Sequence, residues 1–306
     1  MTERVARYLA ALLVATPGIA AWGAEGGSTE YIGGFSAFAA GYLPADAGTY
    51  FSNDLYFYDG STSKLTARGR IAFNISTDMY IDTVQLTHMT SYTFLGANYG
   101  FGVALPVGHV SVDANISPSS FERSASTSGL GDLDLVPLLL GWHSQDLYAN
   151  LAFTVFAPTG QYNQAQPVNL SLHYWALDAT YSASLLTEKG FDLSASLGYT
   201  VNSENPTTHY KSGDVAHLDL AVGQNLTREF KVGIAGYAVV QVSGDSGTGA
   251  ILGPFKSDIY AAGPALEYDT KLGARDLSFG LRWYREFDAK NHLAGDAVYL
   301  TADLAL

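Results

Sequence analysis

The segment at residues 244–249 carries the residue types that a hydrolase could use. It reads Gly-Asp-Ser-Gly-Thr-Gly and contains both a Gly-Asp-Ser-Gly and an Asp-Ser-Gly-Thr sequence. A serine nucleophile needs a positioned histidine and an acid, which are recognised by geometry rather than by chain position. An aspartic protease needs two carboxyl groups that share one proton, and the chain has no second copy of the segment. Because Gly, Ser and Asp are ordinary turn residues, the pattern favours a loop.

Histidine and cysteine give no stronger sign of catalysis. The seven histidines are scattered, and no two of them form the helical pair of a zinc enzyme. Cysteine is absent, so neither a disulfide framework nor a thiolate metal site can form. We therefore expect no enzyme, no metal and no cofactor.

The composition suggests that something other than charged side chains covers the surface. Charged residues make up 15% of the chain and apolar residues 47%, whereas charge approaches a quarter of an ordinary soluble domain. Lipid around a polar lumen would account for both values. The net charge of −13 argues against a nucleic-acid partner, since neutralising phosphates needs a basic surface.

The first 24 residues have the pattern of a secretory signal peptide. Arg4 and Arg7 precede an apolar stretch of small residues, and alanines and glycines that suit cleavage follow it. The apolar stretch is shorter than the 20 or so residues that a membrane-spanning helix needs. We expect residues 1–24 to be removed on export, and the mature chain to reside in the outer membrane of a Gram-negative bacterium.

Apolar and polar residues alternate with period two over most of the remaining chain. Residues 190–203 are typical: Phe191, Leu193, Leu197 and Val201 alternate with small polar residues. This period indicates strands with one apolar and one polar face. The segments run to about 11 to 15 residues, longer than ordinary strands and sufficient to cross a bilayer at a tilt. Since hydrocarbon tolerates no unpaired strand edge, we predict an all-β transmembrane antiparallel up-and-down β-barrel.

Turns and loops divide residues 64–306 into twelve strands. Short turns alternate with long loops, as they do between the two ends of bacterial outer-membrane barrels. The predicted strands are 64–90, 92–105, 109–117, 130–142, 146–157, 172–186, 190–203, 214–226, 229–243, 257–270, 275–287 and a last strand that ends at Leu306. In this interpretation Pro106-Val107-Gly108 is a turn. Fourteen strands is the alternative, if 50–58 is a strand and 64–90 is two.

Two ends of the mature chain raise separate questions. Residues 25–63 precede the predicted barrel, and their first half is rich in glycine and aromatic residues without alternation. They form either a plug in the lumen or a disordered leader. The C-terminal strand resembles the recognition signal of the barrel-assembly machinery, although that signal usually ends in an aromatic residue and not in Leu306.

Charged residues at polar strand positions are expected to face the lumen. An Arg or Lys that faced lipid at the midplane would cost about 2–4 kcal/mol. They either line a pore and set its selectivity or pair across the lumen and brace the wall, with Arg282 and Glu286 in such a network. The candidates are Arg68, Arg70, Asp178, Asp192, Asp219, Lys231, Arg282, Glu286 and Asp303.

An ordered set of segments resembles the outer-membrane family of meta-pathway phenol degradation proteins. The resemblance covers roughly residues 30–306. The matching positions are Gly96 to Phe101 with Pro106, Gly129 to Leu133 with Pro137 and Trp142, Pro158 to Tyr162 with Trp175, Asn202, Thr207, Tyr210, Gly213, Gly236-Tyr237 with Gln241 and Asp245, and Gly263-Pro264. The resemblance implies a barrel of about twelve strands that moves hydrophobic compounds inward. The family also includes an export channel for functional amyloid, whose long N-terminal coiled coil is missing here.

These observations lead to an expected function. We expect a passive outer-membrane channel for small hydrophobic or aromatic molecules, with lipid and the barrel-assembly machinery as its other partners and with its oligomeric state open. A non-conducting structural or surface-binding barrel with a filled interior is the first alternative. An amyloid-type exporter is the second.

Overall fold

The computed structural model describes residues 29–67, 70–116, 121–166, 168–251 and 253–306. The predicted signal peptide lies outside these residues. Among the described residues, no helix is long and apolar enough to cross a membrane.

Thirteen antiparallel strands make up the regular structure of the described chain. They are β1 (Gly48–Ala67), β2 (Arg70–Phe94), β3 (Ala97–Ile116), β4 (Phe121–Leu130), β5 (Leu133–Ser144), β6 (Leu147–Ala157), β7 (Ala176–Leu186), β8 (Phe191–Asn202), β9 (Val215–Asn225), β10 (Phe230–Gln241), β11 (Asp258–Leu272), β12 (Arg275–Lys290) and β13 (Ala294–Ala305).

The strands close into a barrel of twelve wall positions. Apart from β4 and β5, strands that are neighbours in the chain pair with each other, and β1 also pairs with β13 from Tyr50↔Ala305 to Ser61↔Ala294. Strands β4 and β5 share one position, because both pair with the same edge of β3 on either side of a break at Gly131-Asp132. The prediction of an all-β antiparallel barrel with twelve strands is therefore confirmed, and the alternative of fourteen is wrong.

The predicted alternation orients the wall. In β8 the side chains of Leu193 and Leu197 are exposed on the outer face, whereas Ser194 and Ser196 are buried on the inner face. Ser182 of β7 pairs inside the wall with Ser196, their hydroxyl oxygens 2.8 Å apart. The outer face can thus meet hydrocarbon while polar groups find partners inside.

Connections at the two ends of the barrel differ in length. One end has the tight turn Leu95-Gly96 and short connections at 145–146, 187–190, 226–229 and 273–274. Leu95 and Gly96 both have positive φ, 53° and 73°, as a two-residue hairpin turn of type I′ requires. The other end carries the long loops 158–175, 203–214 and 242–257. We call these the turn end and the loop end.

The predicted turn at Pro106 is wrong. Residues 106–108 lie inside β3, and the predicted strand 92–105 runs across the true turn at Leu95-Gly96. Proline is tolerated here because β3 changes partners at this point: its pairing with β5 ends at Ala104 and its pairing with β4 begins at Val107. Pro106 has no N–H to donate, and at Pro106 neither β4 nor β5 pairs with β3. A proline within a sheet needs such a gap in the hydrogen bonding.

The predicted start of the barrel at residue 64 is also wrong. Strand β1 begins at Gly48, so residues 48–63 belong to the barrel wall and not to the segment that precedes it. The predicted strand 64–90 covers the end of β1 and most of β2. Alternation fails in β1 because its inward side chains, which include Tyr56 and Tyr58, are as aromatic as the outward Phe57. The number of wall positions was nevertheless right, because β1 was missed while β3 was predicted as two strands, 92–105 and 109–117. Strand β4 was also missed, but it shares a wall position with β5.

The new boundary predicts which deletions the barrel survives. Removing residues 29–47 should leave a folded barrel, because every wall strand keeps its partners and water can hydrate the polar inner face. Removing residues 48–63 should abolish folding, because β2 and β13 would lose the strand that joins them. Heat-modifiable migration on a denaturing gel, after refolding into detergent, measures both outcomes. A folded band from the deletion of 48–63 would contradict the assignment of β1.

Candidate functional site

Part of the described chain that precedes β1 lies inside the barrel. Residues 29–43, which we call the luminal segment, hydrogen-bond to inward side chains of strands far apart in the sequence. Gly41 N–H donates to Ser184 Oγ at 2.8 Å, and Tyr299 donates its hydroxyl to the Gly33 carbonyl at 2.8 Å. The segment therefore crosses the lumen along the β6–β13 side of the wall.

Small residues make room for the luminal segment. A Cβ atom on Gly223 of β9 would lie 2.6 Å from the Phe38 ring, and buried alanines occupy the neighbouring inward positions Ala221, Ala235 and Ala265. Larger side chains at these positions would displace the segment, since real Cβ atoms do not approach other atoms so closely.

Two buried carboxylates hold the backbone of the luminal segment. Asp219 accepts hydrogen bonds from the amides of Gly34 and Ser36, both at 3.1 Å, and from the Tyr31 hydroxyl. Asp192 accepts from the Ala39 amide at 3.0 Å. Backbone amides thus provide much of the compensation that a buried charge needs.

Tyr31 links this segment to a third buried carboxylate, Asp178, through His217. Its ring stacks on His217 with 3.4 Å between ring centroids, and His217 Nε2 lies 2.8 Å from an oxygen of Asp178. Burial, together with the negative charge of Asp219, raises the pKa of Tyr31 well above its usual range. Tyr31 therefore keeps its proton and remains a hydrogen-bond donor to Asp219.

The two predicted basic residues inside the wall also bind the luminal segment. Lys231 Nζ lies 3.0 Å from Asp192 and 2.7 Å from Glu267, and 5.2 Å from the centroid of the Phe38 ring. Arg282 donates to the Phe35 carbonyl at 2.8 Å.

Arg282 and Glu286 have different partners although they share a strand face. The Arg282 guanidinium is 3.5 Å from Asp54 and lies over the Tyr299 ring. Glu286 accepts from the hydroxyls of Tyr58 at 2.7 Å and Tyr237 at 2.6 Å, and from the Gly295 amide at 2.9 Å. Both side chains connect strands across the lumen.

The remaining sequence candidates are placed differently. Arg68 lies outside the described residues, and Arg70 begins β2, although its side chain is not described. Asp303 is exposed near the turn end and accepts a hydrogen bond from Ser52 at 2.5 Å. Of the inward candidates, Asp178 and Glu286 line the open part of the lumen, while Asp192, Asp219, Lys231 and Arg282 contact the luminal segment or its neighbours. Pore lining remains a prediction for all of them.

An open cavity of about 500 Å³ occupies the lumen between the luminal segment and strands β1–β3 and β5–β7. Its walls change character along the barrel axis. Apolar side chains line it toward the loop end: Ile75, Val110, Val112, Phe156, Val168, Leu170 and Leu172. Hydroxyl and amide side chains line it toward the turn end: Thr83, Gln85, Thr87, Asn150, Thr180 and Ser182. The size is that of a small-molecule site.

Several lumen residues were missed by the sequence analysis. Asp54 was missed because β1 was not recognised, and Glu267 stands at a polar position of a strand that was recognised. Glu30 and Tyr31 had no signal, since the luminal segment does not alternate. Among the described residues, no group of three His, Cys, Asp or Glu side chains could hold a metal ion.

The segment at 244–249 lies in the loop 242–257, as its residue types predicted. Asp245 accepts hydrogen bonds from Gln241 at 2.6 Å, from the Gly213 amide at 3.1 Å and from the Tyr210 hydroxyl. Its carboxylate thereby connects two loops at the loop end of the barrel.

A closed twelve-stranded barrel with an apolar outer face and a polar lumen defines an integral β-barrel of the bacterial outer-membrane type. Residues 57–302 match the family described as "Putative MetA-pathway of phenol degradation", and the chain belongs to this family.

Among solved structures, the fold resembles that of an outer-membrane channel from Pseudomonas putida F1. That match has a TM-score of 0.68 and 15% sequence identity, and it covers 87% of this chain and 97% of the other. The transport unit of the autotransporter AIDA-I from Escherichia coli gives a TM-score of 0.49 at 9% identity, covering 88% and 94%. A FadL homologue from Pseudomonas aeruginosa gives 0.39 at 9% identity, covering 88% and 91%. At 15% identity the match to the Pseudomonas putida channel shows the fold alone. No curated protein matches the chain.

The contacts of Asp219 predict that it anchors the luminal segment. Asp219→Ala leaves three donors without an acceptor, and each buried donor left unpaired costs about 1–3 kcal/mol. Hydrogen exchange at the Gly34 and Ser36 amides should therefore become at least about a hundredfold faster, as measured by mass spectrometry of peptides from the luminal segment.

Asp303→Ala is the matched control for this experiment. It removes the same group from an exposed inward position whose one described hydrogen bond is to Ser52, and exchange in the luminal segment should stay at the wild-type rate. Equal exchange in the Asp219→Ala variant and the wild type would contradict the anchoring role.

Proposed function

We propose that this barrel is a passive channel for small hydrophobic or aromatic molecules across the outer membrane of a Gram-negative bacterium. The cavity of about 500 Å³ carries the proposal, because it leaves space beside the luminal segment and has an apolar lining toward the loop end. Membership of a family described by phenol degradation supports an aromatic solute. The fold shared with an outer-membrane channel is compatible with it.

A solute in the cavity has two possible exits: the polar part of the lumen toward the turn end, and the wall next to the cavity. The ladder between β3 and β5 is interrupted between Gly100 and Gly102, and the one between β5 and β6 between Leu135 and Leu138. Pro137, which has no N–H to donate, lies in the second gap. Val136 and Leu139 line the cavity at the same place. A solute could leave here between strands with few hydrogen bonds to break.

A non-conducting barrel is the competing candidate. The observation that favours it is the luminal segment, which Asp192, Asp219, Lys231 and Arg282 hold across half of the lumen. Such a barrel would have a structural role in the membrane or would bind ligands at the cell surface, without passing solute.

Narrowing the cavity distinguishes the two candidates. Ala152 lies on the inner face of β6 and lines the cavity, so Ala152→Trp should slow the protein-dependent uptake of labelled phenethyl alcohol by roughly fivefold or more. Vesicles with lipopolysaccharide in the outer leaflet, with and without protein, give the rates.

The matched control is Ala149→Trp, which places the same ring on the outward face of the same strand. Its uptake should equal that of the wild type. If correctly folded wild-type protein gave no uptake above that of empty vesicles, the channel would be rejected in favour of the non-conducting barrel.

A further inference from the structure

Three carboxyl groups line the cavity close to one another. Glu30 belongs to the luminal segment, Asp132 to the break between β4 and β5, and Asp134 to β5. Asp132 is held in place because its two oxygens accept the amides of Gly160 and Leu172, each at 2.9 Å. Its charge is thus fixed at the wall of the cavity.

Glu30 shares a side-chain hydrogen bond with Asp132 and has one carboxyl oxygen left unpaired within the described part of the chain. Its Oε1 atom is buried and has no hydrogen-bond partner among the described residues. Burial raises the pKa of Glu30 well above its usual range, and repulsion from Asp132 and Asp134 raises it further. Without a cation beside it, Glu30 therefore keeps its proton, and a positive charge next to the cluster would favour the ionised carboxylates.

The described lining of the cavity contains no Lys or Arg to provide that charge. Lys231 and Arg282 are occupied by Asp192, Glu267 and the Phe35 carbonyl on the opposite side of the luminal segment. Two further carboxylates, Asp178 and Glu286, also line the cavity. An anion in this space would meet these carboxylates and no Lys or Arg of the described lining.

Apolar side chains lie beside the carboxyl cluster. Phe156 is the cross-strand partner of Asp134, and Leu172 donates its amide to Asp132. Both line the cavity. A ligand with an apolar body and a cationic end would satisfy both surfaces at once.

We propose that the cavity selects apolar molecules that carry a primary ammonium group, which is held by Glu30, Asp132 and Asp134, and that it excludes the corresponding carboxylates. This selectivity rests on the proposed channel function. The three N–H donors of an ammonium group suit the acceptor oxygens of these carboxyl groups.

Three solutes with the same phenethyl body separate charge from size: phenethylammonium, phenethyl alcohol and hydrocinnamate. Their uptake is measured in vesicles with and without the wild-type protein. The ammonium should enter fastest and the carboxylate slowest, with about a tenfold difference between the two. Equal rates for the ammonium and the carboxylate, with the alcohol also entering, would overturn the charge selectivity and leave the channel intact. If none of the three entered, the channel itself would be rejected, and the selectivity with it.

Variants test whether the carboxyl cluster is responsible. Asp134→Asn and Glu30→Gln should each slow the ammonium severalfold and leave the alcohol unchanged. The matched control is Asp113→Asn, which removes an exposed carboxylate from β3 near the loop end but outside the cavity. Since Glu30 precedes β1, its variant also serves if Asp134→Asn fails to fold. An ammonium preference that persists in both folded variants, or that Asp113→Asn abolishes equally, would overturn the assignment to this cluster.

Discussion

The structure depends on how buried carboxylates in the lumen obtain hydrogen-bond donors. The wall carries Asp178, Asp192, Asp219 and Glu286 on its inner face, and an ionised carboxylate without partners is very costly in a medium of low polarity. Only part of the compensation comes from cationic side chains. The rest comes from backbone amides and hydroxyls, many of them on a segment that belongs to no strand. The luminal segment is thus a component of the wall's electrostatics as well as an obstruction.

This dependence explains why one half of the lumen is filled and the other open. Where β9 to β11 present glycine and alanine, the luminal segment approaches closely enough for its amides to reach Asp192 and Asp219. The inward side chains of β2, β3 and β6 that line the cavity are larger and end in hydroxyl, amide or aliphatic groups. These strands provide no carboxylate there for the luminal segment to bind, and the cavity lies beside them. The size of the inward residues therefore determines where a solute could pass.

The sequence predicted the wall well where its two faces meet different media. In β8, lipid and lumen impose opposite polarity on successive residues, so period two is strong and the predicted bounds are nearly those observed. It failed in β1, because Tyr56 and Tyr58 point into the lumen and resemble a lipid-facing pair. It failed again at Pro106, since only the partner change between β4 and β5 makes a proline acceptable within a strand.

The candidate site was less predictable than the wall, for a physical reason. Inward positions such as Asp178 and Asp219 follow from alternation alone, but their partners do not, because Tyr31 lies 188 positions from Asp219. The carboxyl cluster at the cavity was beyond reach for the same reason: Glu30 comes from an irregular segment and Asp132 from a break in a strand. The alternation of apolar and polar residues indicates whether each strand residue faces lipid or the lumen. It carries no information on which groups a folded loop or an inserted segment brings beside it, and in this barrel those groups decide the charge of the open path.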